Sequence, residues 1–257
     1  MSVDAWDRTF TDLDGYRGVN GNMHTVEAML AVGDVTGDAA WHARALRIAR
    51  RVIGAAEAHG WRIPEHFDAT WTPDLDLNRD RPDDPFKPFG ATPGHGFEWS
   101  RLLLHLEASS HVSDVEGLLP AARALFDRAT RDGWAVDGAD GFVYTTDWAG
   151  APVVRDRMHW VPAEAAAAAA VLHARTGDAG YAALYATWWD YIAESVVDVE
   201  HGSWHHQLDA SNTPIDTVWP GKADLYHAVQ STLLPTAPIA PGLAVAARDG
   251  MIPTGSR

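Results

Sequence analysis

The sequence predicts an all-α protein, either a solenoid or a toroid of helical hairpins, because of two observations. Apolar residues recur at spacings of three and four along most of the chain, as in the segment WHARALRIARRVI that starts at Trp41. Two segments also resemble each other, since a Thr-Gly-Asp turn, at Thr36 and again at Thr176, separates two helical stretches in each. Repeated helix-turn-helix units that cannot bury their apolar faces alone are typical of such architectures.

The elements follow in chain order from this periodicity and from the residues that begin and end helices. The predicted helices are Met23–Val32, Ala39–His59, Gly96–Ser110, Val115–Arg131, Val161–Arg175, Ala179–Val197 and Lys222–Pro235. In each Thr-Gly-Asp turn the glycine can end one helix and the aspartate can cap the next. The fifth helix contains AEAAAAAAVLHA, which lacks a polar face over its middle turns, so we expect it to pack on more than one side.

Three long connections are rich in proline, glycine, aspartate and aromatic residues, namely residues 66–94, 132–157 and 202–221. Residues alternate weakly between polar and apolar over Tyr144–Trp148 and Trp204–Leu208, so we expect short β-hairpins there. Long irregular connections are uncommon in a compact domain unless they build a site. No linker interrupts the chain, and we expect residues 1–257 to form a single domain.

Composition and charge narrow the possible partners. The chain has 257 residues, of which 46% are hydrophobic, so it can bury a sizeable core. A formal net charge of −15 argues against nucleic acid and against an anionic membrane, because both would repel the protein. No apolar run approaches a membrane span, and the first residues are charged where a signal peptide is apolar, so we expect a soluble cytoplasmic protein. The absence of cysteine excludes disulfides and thiol catalysis.

The composition also indicates a class of ligand. The chain carries 13 histidines and 12 tryptophans, which are the unusual part of its composition. Indole faces pack against the C–H faces of sugars, and sugar hydroxyls need many hydrogen-bonding partners, so this composition favours a small-molecule sugar. No Gly-x-Gly-x-x-Gly or phosphate-binding loop occurs, which disfavours a nucleotide cofactor.

The stretch FGATPGHGFEWSRLLLH places His95 and Glu98 three residues apart after a Pro-Gly turn. Residues at this spacing lie on the same face of a helix. One interpretation is a capped helix whose glutamate favours the positive end of the helix dipole. The other is a helix end that directs an acid/base pair into a pocket. Similar His/Glu pairs occur near loops at His24 and Glu27 and at Glu65 and His66, and these favour the second interpretation somewhat.

Other residues leave alternatives open. His227, in KADLYHAVQ, is either a half-buried residue of an amphipathic helix or a base, and imidazole suits the latter because its pKa is ~6.5. The neighbours His205 and His206 are possible metal ligands, but adjacent residues on a strand point to opposite faces, which argues against a two-histidine chelate. Aspartates in the first long connection suit a glycosidase, although such residues usually stabilise turns. They are Asp68, Asp74 and Asp76.

Taken in order, the motifs resemble the N-acylglucosamine 2-epimerase superfamily, and its mannose isomerase and sulfoquinovose isomerase branch in particular. They are YRGVNGNMHTVEAML, PEHFD, FGATPGHGFEWSRLLLH, DGADGFVYTTDW and GSWHHQLD…WPGKADLYH. The resemblance implies an (α/α)6 barrel of inner and outer helices around a sugar pocket, with no metal or nucleotide cofactor. Family members are longer, so it also implies a barrel that lacks its N-terminal third, which partner copies in a homo-oligomer would help to cover.

The resemblance further implies an aldose–ketose isomerase that acts on mannose or a related hexose through an enediolate. A sugar 2-epimerase and an inactive, sugar-binding remnant are the alternatives. Pro85 and His206 stand where some isomerases carry an arginine and a glutamine, so we expect a neutral aldose rather than a sulfonated sugar.

The same resemblance implies roles for individual residues. His227 would carry the proton between C2 and C1 of the open-chain sugar. His95, with Glu98 beside it, would assist ring opening and proton movement on the sugar oxygens. The expected substrate-binding residues are His24, Asn20, Phe86, His206 and Glu65.

Overall fold

The structure, a computed structural model, describes residues 1–109 and 113–252. Its α-helices are α1 Val19–Thr36, α2 Ala39–Ala58, α3 Pro93–Ala108, α4 Leu118–Gly133, α5 Trp160–Thr176, α6 Ala179–Tyr191, α7 Leu225–Leu233 and α8 Leu243–Arg248. Its short strands are β1 Arg17–Gly18, β2 His66–Phe67, β3 Arg157–Met158, β4 Gln207–Leu208 and β5 Pro214–Ile215. The predicted all-helical architecture with short hairpins in the long connections is confirmed.

The helices form hairpins in two layers. α1 packs against α2, α3 against α4 and α5 against α6. α3 also contacts α1 and α5, and α5 contacts α7, so α1, α3, α5 and α7 form a continuous inner layer while α2, α4 and α6 lie outside it. The inner helices begin at the same side of the layer, because each hairpin brings the chain back before the next inner helix starts.

The two Thr-Gly-Asp turns adopt the same structure, as their sequences predict. Gly37 and Gly177 end α1 and α5 in the left-handed region, with φ of 71° and 72°, which glycine reaches without a steric cost. The aspartate after each glycine caps the next helix, and α2 and α6 therefore begin directly after it.

We expect Asp178→Ala to lower the free energy of unfolding by about 1 kcal/mol, because this side chain accepts the hydrogen bond of Gly180 N at 2.8 Å. Asp38 makes the same contact with Ala40 N at 2.9 Å, so its substitution should have a similar effect. Denaturant unfolding followed by circular dichroism measures both. Asp190→Ala, at an exposed position within α6, is the control. Equal stability of Asp178→Ala and the wild type would contradict the capping role.

Several helix ends differ from those predicted. α1 extends beyond the predicted Met23–Val32 in both directions. α3 begins at Pro93, since proline has no N–H to satisfy at the first helical position. The predicted end of that helix, Ser110, lies outside the described residues. α7 begins only after Asp224, whose side chain caps it.

Helix α5 is buried on both sides, as its alanine-rich sequence predicts. It lies between α3 and α7 in the inner layer and also contacts α6, and its alanines from Ala163 to Ala169 are almost fully buried. Small side chains let these neighbours approach closely. The core continues into α3 and α4, where Phe97 and Phe126 make an edge-to-face contact with ring centroids 5.3 Å apart.

The strands join the connections to the starts of the inner helices. β1, just before α1, pairs with β2, and β3, just before α5, pairs with β4, which also pairs with β5. The connection around Tyr144 forms a hairpin as well, with Thr146 opposite Pro152. Within residues 1–109 and 113–252, no helix has the length and apolar character needed to cross a membrane.

Candidate active site at the start of the inner helices

A cavity of about 360 Å³ lies where the first turns of α1, α3, α5 and α7 meet the loops before them. Its walls contain all the residues that the family resemblance implied for the site, namely Asn20, His24, Glu65, Phe86, His95, Glu98, His206 and His227. The resemblance therefore predicted which residues come together, and their roles also rest on it.

Two imidazole–carboxylate pairs face this cavity. His95 Nδ1 lies 2.9 Å from Glu65 Oε2, and His227 Nδ1 lies 2.9 Å from Glu164 Oε1. Both glutamates are buried. A carboxylate at Nδ1 assigns the proton of a neutral imidazole to that nitrogen, which leaves Nε2 of each histidine as a base.

The indole of Trp160 packs near both histidines. Its ring centroid is 5.2 Å from that of His95 and 5.6 Å from that of His227, with interplanar angles of 32° and 33°. This packing requires a glycine at position 94, because a Cβ there would lie 2.3 Å from the indole. The Pro-Gly turn thus brings the start of α3 against Trp160 and sets the position of His95.

A buried charge cluster lies behind the histidines. Arg101, which is 5% exposed, donates to Glu164 Oε2 at 3.1 Å and to Glu27 Oε1 at 3.3 Å. Its guanidinium also lies 3.8 Å from Glu98 Oε1. One buried cation therefore faces three carboxyl groups, and they cannot all remain ionised at little cost.

The carboxyl groups of this cluster differ in their pKa values. Burial, reinforced by the nearby charge of Glu164, raises the pKa of Glu98 well above its usual range, although Arg101 opposes the shift. Burial also disfavours ionised Glu164, but Arg101 and His227 outweigh it and lower the pKa of Glu164. Glu98 is therefore the protonated member, a carboxylic acid beside the cavity with His24 Nδ1 3.8 Å from its Oε1.

We expect Glu98→Gln to become more stable relative to the wild type as the pH rises. In the unfolded chain Glu98 has an ordinary carboxyl pKa of about 4.3, whereas in the folded protein its pKa is raised. Between these two pKa values only the unfolded chain releases the proton, so the wild type loses stability as the pH rises through this range. Glutamine has no proton to release, so the variant lacks this loss. Urea unfolding across this pH range measures the difference. Glu116→Gln, at an exposed position, controls for the lost charge, and a pH-independent difference at Glu98 would contradict the assignment.

The wall opposite α3 is built from aromatic rings. His206 stacks on Trp219 with ring centroids 6.0 Å apart and an interplanar angle of 18°, and Phe86 meets Trp219 edge to face at the rim. His159 lies 4.9 Å from His206 between ring centroids. Burial lowers the pKa of His159 to about 4, although the charge of Asp224 opposes the shift, so its imidazole is neutral at physiological pH.

Two other sequence candidates have structural roles. Both ring nitrogens of His66 are used within the protein, since Nδ1 lies 2.9 Å from the Tyr16 hydroxyl and Nε2 lies 2.8 Å from the Pro88 carbonyl. Asp68 accepts the N–H groups of Thr70 and Thr72 and closes a turn. None of the aspartates considered for a glycosidase lines the cavity in the described part of the chain.

Sequence reasoning missed several residues of the site, above all Glu164, Trp160 and Arg101. Glu164 carried a usable signal, since a single glutamate in an alanine-rich helix that is buried on every side needs a buried partner. Trp160 and Arg101 had no comparable signal, because their contacts depend on which inner helices become neighbours.

The fold and the cavity together define a class of protein, a helical barrel of hairpins whose candidate site lies at the first turns of its inner helices. A family model described as N-acylglucosamine 2-epimerase (GlcNAc 2-epimerase) matches residues 1–231. The chain belongs to this family, and the resemblance inferred from the sequence is confirmed.

Relatives of known name agree with this assignment. The chain is 52% identical over 247 residues to a D-mannose isomerase from Pseudomonas cannabina pv. alisalensis, a match that covers 95% of this chain and 60% of that protein. It is 50% identical over 243 residues to a D-mannose isomerase from Thermobifida fusca, with coverage of 94% and 60%. The chain thus spans 60% of the length of these relatives.

Solved structures support the fold. A crystal structure of a D-mannose isomerase superposes with a TM-score of 0.82 at 31% identity, over 89% of this chain and 58% of that one. A cellobiose 2-epimerase from Spirochaeta thermophila DSM 6192 gives a TM-score of 0.71 at 17% identity, over 90% and 57%, and shows likeness of fold alone.

Proposed function

We propose that this chain is a cofactor-independent aldose–ketose isomerase, with mannose or a related hexose as its substrate. The observation that carries the proposal is the pair of imidazole–carboxylate dyads, His95 with Glu65 and His227 with Glu164, whose histidines line one cavity and both pack near Trp160. The relatives named D-mannose isomerase support the choice of sugar.

The proton on carbon moves through His227 in this proposal. Nε2 of His227 takes the proton from C2 of the open-chain aldose, and the C–H electron pair forms the C1–C2 double bond of an enediolate. His227 then returns the proton to C1, which gives the ketose. Glu164 holds Nδ1 and stabilises the imidazolium that exists between the two transfers.

The oxygens need a second acid and base, because O1 gains a proton while O2 loses one. His95 is placed to exchange these protons and to assist ring opening. Protonated Glu98 can donate to a developing oxyanion, which a carboxylate cannot do. The positive ends of the inner helix dipoles meet at the cavity and also favour the negative charge of the enediolate.

The other residues of the cavity would bind and orient the sugar. His24 and Asn20 on α1 offer polar groups, and the rings of His206 and Phe86 lie on the opposite wall. The second oxygen of the Glu65 carboxylate, Oε1, is buried and has no hydrogen-bond partner within the described residues. We therefore assign it the role of accepting a sugar hydroxyl while Oε2 holds His95.

A sugar 2-epimerase is the second candidate, and the placement of the two histidines favours it. Epimerisation returns the proton to the opposite face of C2, and a second imidazole at the same cavity could supply it there. Both reactions share the enediolate. They differ in where the proton is returned and therefore in the product.

Proton exchange followed by NMR separates these functions. Purified protein is incubated with mannose in heavy water. Fructose is the product expected of the isomerase, with deuterium at C1 to the extent that the proton on His227 exchanges with solvent before its return, and glucose with deuterium at C2 is that of the epimerase. A folded sample that turns over neither mannose, glucose nor a sulfonated hexose would contradict both and favour an inactive, sugar-binding remnant.

A further inference from the structure

The pairing of β3 with β4 places two histidines side by side on the cavity wall. Met158 lies opposite Gln207 in this antiparallel pair, and the pairing continues by one residue, since His159 N donates to His206 O at 3.1 Å. Opposite residues of an antiparallel pair project from the same face. The two imidazoles therefore lie together, with ring centroids 4.9 Å apart.

A carboxylate approaches this pair from a third element. Asp224 caps α7 through one oxygen, which accepts from Tyr226 N at 2.9 Å. Its other oxygen, Oδ2, lies 3.4 Å from His159 Nε2. One ligand atom from each of these residues lies within 4.8 Å of the others. Ligands of a tetrahedral zinc ion lie about 3.4 Å apart, so a shift of about 1 Å would bring all three atoms onto one ion.

Three of the four ring nitrogens of these histidines form no hydrogen bond within the described residues. His159 is 2% exposed, and neither of its ring nitrogens forms a hydrogen bond within the described chain. Nδ1 of His206 is also buried and unsatisfied among these residues. Buried polar atoms nearly always have a partner. The unsatisfied nitrogens are therefore a second indication, independent of the spacing, that a ligand binds here.

We propose that His159, His206 and Asp224 bind one divalent transition-metal ion of the zinc type. Neutral imidazole and carboxylate are ligands that Zn²⁺ and Co²⁺ accept, and three protein ligands leave a coordination position open towards the cavity. The proposal combines the residues directly before β4, α5 and α7, and it does not involve His205, the sequence neighbour of His206.

A second group with similar spacing, His24, Glu27 and Glu98, is a poorer metal site. The guanidinium of Arg101 lies 3.3 Å from Glu27 Oε1 and 3.8 Å from Glu98 Oε1, and its positive charge would repel a cation. Glu27 also accepts hydrogen bonds from the Tyr226 hydroxyl and from Gln230 Nε2. The metal is therefore assigned to the group on the aromatic wall.

A bound metal ion would oppose the proposed reaction, and this consequence rests on the proposed function. The His159 ring centroid is 6.1 Å from that of His227, so a dication there disfavours the protonated His227 that proton transfer requires. The ion would also occupy His206, which otherwise faces the sugar. We therefore expect zinc-type ions to inhibit turnover in competition with the sugar.

A titration of metal-free protein with Co²⁺ tests the site without sugar. The expected result is one Co²⁺ per chain, with a visible absorption spectrum typical of four or five ligands. His206→Ala and Asp224→Asn should each weaken binding by at least about tenfold, and asparagine preserves the cap of α7. His205→Ala is the matched control and should bind Co²⁺ like the wild type.

Several outcomes would overturn the site. These are an unsaturable titration, equal affinity in His206→Ala and the wild type, or loss of binding in His24→Ala with His206→Ala unaffected. Because no sugar is present, these results do not depend on whether the chain isomerises one. In the turnover assay, Co²⁺ should inhibit and a chelator should restore activity, and full turnover at saturating Co²⁺ would overturn the competition.

Discussion

The His227→Ala variant should lose ketose formation by at least about 100-fold, which is the lower end of what a positioned general base contributes. In the proposed reaction no other group takes the proton from C2, since His95 acts on the oxygens. The side chain of His227 is 13% exposed at the cavity, so its removal leaves the core intact and sugar binding should persist. Ketose formation in heavy water measures the loss, and calorimetry with mannose measures the binding.

The matched control for this variant is His201→Ala. His201 is 68% exposed and does not line the cavity, so turnover should be unchanged. A His227→Ala protein that keeps most of its turnover would contradict the assignment of the proton transfer to this residue. Loss of sugar binding together with turnover would instead indicate that His227 serves the binding of the substrate.

Arg101→Met should lower the free energy of unfolding by about 3–5 kcal/mol, because it removes one partner from a buried ionic cluster and leaves carboxylates without compensation. Glu164 is affected most, since it is 1% exposed and is held by Arg101 Nε. Arg50→Met is the control, because Arg50 and Asp114 form an exposed ion pair that contributes about 0–1 kcal/mol. Denaturant unfolding measures both variants.

The loss of stability in Arg101→Met should become smaller as the pH falls. Arg101 helps to lower the pKa of Glu164 in the folded protein, so the stabilisation is present above the carboxyl pKa of the unfolded chain and is lost as the pH falls through the lowered value. The gap in stability between the wild type and Arg101→Met should therefore narrow in acid. A gap that is small at neutral pH, or that widens in acid, would show that the cluster does not stabilise the fold in this way.

The sequence predicted the helical hairpins from local signals, whereas the set of cavity residues followed from the resemblance to a known family. The Thr-Gly-Asp turns fixed two hairpins, and Pro93-Gly94 marked the start of an inner helix. The ion-pair cluster around Arg101 could not be predicted, because Glu27, Glu98 and Glu164 lie on three inner helices that become neighbours only in the folded barrel. The cytoplasmic location and the homo-oligomer stay predictions.

The pKa of Glu98 illustrates the same limit. Its place in the motif indicated an acid/base role, but its protonation depends on burial and on the charge of Glu164, which lies far away in the sequence. His159 and His206 are also distant in sequence, and only the pairing of β3 with β4 reveals that they are neighbours.

In the inner layer, the residues that could determine ligand specificity are separate from the residues that stabilise the fold. The residues that line the cavity lie near the starts of α1, α3, α5 and α7 and in the loops before them, whereas the buried alanines and leucines of α3 and α5 lie further along the same helices. If the proposed function holds, a substitution at the exposed rim, for example at Phe86, should alter which sugars bind and leave the packing of the barrel unchanged. Changes in ligand specificity at the rim therefore need not destabilise the fold. They would then require no compensating mutations elsewhere.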